Sequence, residues 1–120
     1  MKFTIAILFC ALISMATPGT ASDDGITLIN AFEVPADKLD ETISFWEQAR
    51  DYLQTQPGYI STALHQSITD DARFRLVNIA IWESADAFFT ASKNMRAEAE
   101  LPKIEGLTAN PALYTVIRRD

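Results

Sequence analysis

Hydrophobic and polar positions along this chain repeat with two alternating periods. From Ile26 to Val34 the period is two: Ile26, Leu28, Asn30, Phe32 and Val34 share one side, and Thr27, Ile29, Ala31 and Glu33 the other, which predicts a strand. After Pro35 the period lengthens. Leu39, Ile43, Trp46, Ala49 and Leu53 recur three or four residues apart with acids and amides between them, an amphipathic helix with Asp37 as its candidate N-cap. Gln56-Pro57-Gly58 stops it, and Tyr59–Ser67 alternates again, with Ile60, Thr62 and Leu64 on one side and Tyr59, Ser61, Ala63 and His65 on the other. Thr69-Asp70-Asp71 is turn chemistry that joins this strand in a hairpin to the next, Arg73–Glu83. Ser84 caps a second helix with Ala85, Phe88, Phe89, Ser92 and Met95 on its face, and Pro102 bars its extension. Gly106–Pro111 reads as loop and Ala112–Arg118 as a last strand.

The order β-α-β-β-α-β predicts an α+β, ferredoxin-like fold, an antiparallel sheet with both helices on one face and its first and third strands as central neighbours. The third strand carries two apolar rows: Val77, Ile79 and Ile81, against Phe74, Leu76, Asn78, Ala80 and Trp82. A buried amide without partners costs about 1–3 kcal/mol, so Asn78, and Asn30 in the first strand, need an explanation. With the β-branched row toward the helices, the Phe74–Trp82 row faces outward as a large apolar patch. The expectation is a homodimer in which two sheets close a dimeric α/β-barrel, with an aromatic-lined pocket in each half.

Composition divides the chain. Met1-Lys2, the apolar run Phe3–Ile13 and Ala16-Thr17-Pro18-Gly19-Thr20-Ala21 read as a secretory signal over 1–22, with an uncleaved anchor as the alternative; one domain follows over 23–120. The expected location is secreted or periplasmic, with no membrane association of the mature form. The lone cysteine, Cys10, leaves with the signal, and loss of Lys2 takes the net charge from −6 to −7. An acidic chain without a Lys/Arg cluster is unsuited to nucleic acid. No Cys/His cluster, phosphate-binding glycine loop or Ser/His/Asp set points to a metal, nucleotide or triad chemistry.

Leu28–Pro35, Gln56-Pro57-Gly58-Tyr59, Leu64-His65 and Arg75–Ser84 together resemble antibiotic biosynthesis monooxygenase domains, over nearly all of 23–120. The Asn78-x-x-x-Trp82-x-Ser84 segment is the most specific part. The resemblance implies the dimeric α/β-barrel and oxygenation of a small phenol, anthrone or quinol by O₂ without metal, flavin or other cofactor. It matches Asn78 and Trp82 to the pocket Asn and Trp of anthrone-oxidising members, and His65 to a His after the second strand's core. Leu64 stands where those members can have a Tyr. Asn30 and Trp82 also match haem-degrading members, but Asn94–Glu100 has no histidine for an axial ligand, and Met95 is the nearest substitute there.

The candidate catalytic residues are therefore Asn78, Trp82 and His65, the only histidine, with Asn30, Phe32, Phe74 and Leu76 as substrate contacts. The carboxamides would donate to a developing oxyanion, the indole would stack on a planar ring, and the imidazole would move a proton near neutral pH. The alternatives are a non-catalytic or stress-related dimer holding an apolar ligand and, ranked below it, a haem-degrading oxygenase.

Overall fold

The computed structural model describes residues 25–120, so the signal expected over 1–22 lies outside the described residues. Six elements follow in order: β1 (Ile26–Glu33), α1 (Leu39–Leu53), β2 (Tyr59–Gln66), β3 (Leu76–Trp82), α2 (Ala85–Glu98) and β4 (Thr108–Tyr114). They form one sheet of order β2-β3-β1-β4, every neighbouring pair antiparallel. This is the expected ferredoxin-like topology, with both helices on one face.

The faces are the reverse of the sequence-based expectation. Leu76, Asn78, Ala80 and Trp82 are buried on the helix side, while Val77, Ile79 and Ile81 are only half-buried on the other. Ring size explains the inversion. Trp82 is 1% exposed and packs edge-on against Tyr59 and Phe88 at ring-centroid distances of 5.6 and 5.7 Å. The helices supply large, irregular side chains that match an aromatic row, and burying an indole gains more than burying an isoleucine. Leu28, Ala80, Trp82 and Ala91 form the core cluster.

α1 begins at Leu39 without a side-chain cap. Asp37 does not serve as the N-cap, because Lys38 N–H donates back to Pro35 O (2.9 Å) in a turn and occupies the cap position itself. Thr42 Oγ1, 1% exposed as a residue, donates to Lys38 O at 2.7 Å. α2 is capped as expected, Ser84 Oγ accepting from Ala87 N–H at 3.1 Å. Between α1 and β2, Gly58 has φ +88°, and its carbonyl accepts from Glu83 N–H at 2.8 Å. A Cβ here would collide with that of Ala87, so only glycine fits both the backbone and the close approach of α2. The last turns of the helices are tied by Tyr52, whose hydroxyl donates to Glu98 Oε2 at 2.6 Å. That hydrogen bond to a carboxylate pushes the phenol's pKa up from 10.0 to about 12.

β4 spans 108–114 instead of 112–118. Pro111 lies inside it, opposite Asn30, on the edge of the sheet where the missing N–H breaks no central ladder.

Candidate active site

The site is built on the middle of the sheet. Asn30 and Asn78 are direct partners in the β1–β3 register, flanked by Leu64 on β2 and Pro111 on β4. Side chains opposite one another across a ladder share a face, so both carboxamides point to the helix side. Each has its oxygen engaged by the chain. Asn78 Oδ1 accepts from Thr62 Oγ1 at 2.7 Å, and Asn30 Oδ1 accepts from the backbone N–H of Asn110 at 3.0 Å. Asn110 Nδ2 in turn donates to Ala31 O at 2.8 Å. Pro111 explains this exchange: with no N–H of its own opposite Asn30, the edge strand bonds through its neighbour to the asparagine side chain.

Neither Asn30 Nδ2 nor Asn78 Nδ2 has an acceptor among the described residues. No fully buried side-chain polar atom there is unpaired, so both NH₂ groups open onto free space. That space is a cavity of about 670 Å³ between sheet and helices. Leu28, Asn30, Phe32, Thr62, Asn78, Ala80 and Trp82 form its floor. α1 contributes Phe45, Trp46, Ala49, Arg50 and Leu53, and α2 contributes Phe88, Phe89, Ser92, Met95 and Arg96. The volume is that of a site for a small organic molecule, and the composition, apolar walls with a few convergent donors, fits a flat aromatic.

The structure therefore brings together Asn78, Trp82, Asn30 and Phe32. It does not bring in the other three candidates. His65 stands opposite Val77, on the other face of the sheet, exposed, with Nδ1 3.3 Å from Val77 O. Phe74 precedes β3 and lies beneath the Arg73 guanidinium, 5.0 Å from its ring centroid. Leu76 is 1% exposed and packed on the cavity side of the sheet without lining the cavity.

Sequence reasoning overlooked Thr62, Tyr59, Arg50 and Arg96, and placed Trp46 only on the apolar stripe of α1. Tyr59 was assigned to the wrong side because a bulge at Ile60 shifts the register, so Tyr59 and Thr62 share a face despite odd spacing. Arg50 carried a readable signal, four residues after Trp46 on the apolar stripe of α1; its guanidinium lies 5.3 Å from the Trp46 ring centroid. Among the described residues, no aspartate, glutamate or histidine lines the cavity.

The family model for antibiotic biosynthesis monooxygenases matches residues 25–99. A protein of Shewanella loihica PV-4, provisionally described as a monooxygenase, is 52% identical, with TM-score 0.73, over 79% of this chain and 96% of its own. SnoaB, a cofactor-independent oxygenase from Streptomyces nogalater, is 26% identical, with TM-score 0.60, over 80% of this chain and 96% of its own. The haem-degrader MhuD of Mycobacterium tuberculosis, at 24% identity and TM-score 0.60 over 79% of this chain and 98% of its own, shares the fold. No curated protein sequence matches the chain. With the family model covering well over half its length, the chain belongs to the antibiotic biosynthesis monooxygenase family.

Proposed function

We propose that this chain is a cofactor-independent monooxygenase that oxidises a small, electron-rich aromatic (a phenol, anthrone or quinol) with O₂ in the cavity between sheet and helices. The observation that carries this reading is the pair of cross-strand carboxamides. Their oxygens are held by Thr62 and Asn110, and their NH₂ groups face the cavity. Two fixed donors in an apolar enclosure stabilise negative charge on a substrate oxygen, the largest single contribution in many enzymes.

For an anthrone-type substrate, the carbonyl oxygen becomes a phenolate-like enolate oxygen once the CH₂ across the central ring loses a proton to water. With no carboxylate or imidazole on the cavity wall among the described residues, the substrate supplies the acidity, and the donors lower its pKa by favouring the anion. The enolate gives electrons to O₂, the CH₂ becomes C=O, one oxygen atom enters the product and the other leaves as water. The substrate supplies all the electrons. Trp82, held rigid by Tyr59 and Phe88, offers a flat wall against the ring.

Oxygen uptake with anthrones and hydroquinones tests the reading. Asn78→Ala should lower kcat by about 10²-fold, the typical cost of one oxyanion donor, and Trp82→Ala should lower kcat/KM; unchanged turnover in both variants overturns the proposal. A non-catalytic carrier would show ligand-dependent thermal stabilisation without product.

The proposal includes a homodimer. The outer sheet face carries Ile29, Ala31, Val77, Ile79 and Ile81 in adjacent ladder positions. An apolar sheet face of this kind is buried in sheet-on-sheet packing, and a second copy is the occupant we assign to it. Each cavity then lies within its own subunit, between sheet and helices, rather than in the space between the two sheets. Export directed by residues 1–22, to a secreted or periplasmic location, is also part of the proposal.

A further inference from the structure

We propose that Arg96, assisted by Arg50, makes the site selective for aromatics bearing an anionic substituent such as a carboxylate, at the edge of the ring system away from Asn78. This rests on the monooxygenase reading for the reaction, though not for the binding preference. The chain as a whole carries a net charge of −6, yet the ionised side chains lining its cavity among the described residues are two arginines. Both lie in the last turns of their helices. The Tyr52–Glu98 hydrogen bond joins those turns, and residues two apart on a helix stand about 200° apart around its axis. With Tyr52 and Glu98 engaged with each other, Arg50 and Arg96 line the cavity.

The two cations are not equivalent. Arg50 donates to Asp51 Oδ1 through Nε (3.1 Å) and Nη2 (3.0 Å), so its charge is shared. Arg96 has no ion-pair partner among the described residues. It is exposed while lining the cavity, which puts it at the mouth. A guanidinium there meets a carboxylate in a bidentate fork. A planar guest then has two addresses: its reacting oxygen at the asparagine amides on the floor, and its acidic substituent at Arg96 on the rim. That arrangement fixes which ring edge reaches the donors.

Two probes of one shape separate charge from fit: anthraquinone-2-carboxylate and anthraquinone-2-carboxamide, titrated against the full chain. Binding is read as quenching of Trp46 and Trp82, the only tryptophans, which both line the cavity. The carboxylate should bind about tenfold tighter, a difference of about 1.4 kcal/mol. Arg96→Gln should collapse that ratio to below about threefold. Arg96→Lys should keep most of it, and Arg50→Gln should reduce it less than Arg96→Gln does. Equal affinities in the native protein, a ratio unmoved by Arg96→Gln, or failure of both probes to quench would overturn the inference. Acid preference without oxygen consumption on any anthrone or hydroquinone would leave it standing and sink the monooxygenase reading. Turnover of neutral substrates with no acid preference would do the reverse.

Discussion

A carboxamide has an accepting end and a donating end, and at Asn30 and Asn78 the chain occupies the accepting end. The consequence is orientation: each NH₂ is aimed because its oxygen is tied. Thr62 is therefore a positioning residue. Thr62→Val keeps the shape but removes the O–H that donates to Asn78 Oδ1. Its expected effect is a fall in kcat of about tenfold, since part of a charged hydrogen bond's 1.5–3 kcal/mol is lost when its donor is free to turn away. KM should change by less than threefold, and Thr62→Ser should restore kcat. Steady-state oxygen uptake across the three proteins measures this, and a structural role alone would not produce the kcat-specific loss or the rescue.

At the scale of elements, the joints decide more than the elements themselves. Gly58 links α1 to β2 with a left-handed backbone, beneath Ala87 of α2. Gly58→Ala should destabilise the fold by about 2 kcal/mol or more, from the positive φ together with overpacking, and urea denaturation measures the shift in midpoint. Periodicity made the order of elements legible, as well as the Ser84 cap and the adjacency of the first and third strands that carry Asn30 and Asn78. It could not choose which side of β3 meets the helices, because both rows are apolar and only the bulk of the facing side chains decides. The start of β4 was hidden for a local reason. Pro111 reads as a strand breaker, yet an edge strand tolerates it when a neighbouring N–H finds the Asn30 side chain. The bulge at Ile60, which delivers Tyr59 to the cavity, leaves no mark in a two-residue alternation. His65 looked catalytic as the only imidazole, but its strand position turns it to the opposite face.

For the whole molecule, the sheet is a partition with different duties on its two sides. If a second copy covers the outer face, a charge at its centre has no solvent to turn to. Ile79 lies there, flanked by Ile29 and Ala63. Ile79→Glu should convert the dimer to monomer at micromolar concentration, read by size exclusion with light scattering, and should leave the helix-side cavity able to bind an aromatic probe. A native chain already monomeric at high concentration would remove the dimer from the proposal.

The strict alternation of β3 also limits how this chain can change length. One residue gained or lost at the start of β3, ahead of Asn78, would swing Asn78 and Trp82 toward the outer face and drop isoleucines onto the cavity. The outer face and the cavity floor would exchange side chains in a single step. Length variation is thus confined to the connections, such as residues 67–75 or 99–107, and the residues of the outer face cannot drift in frame independently of those that line the cavity.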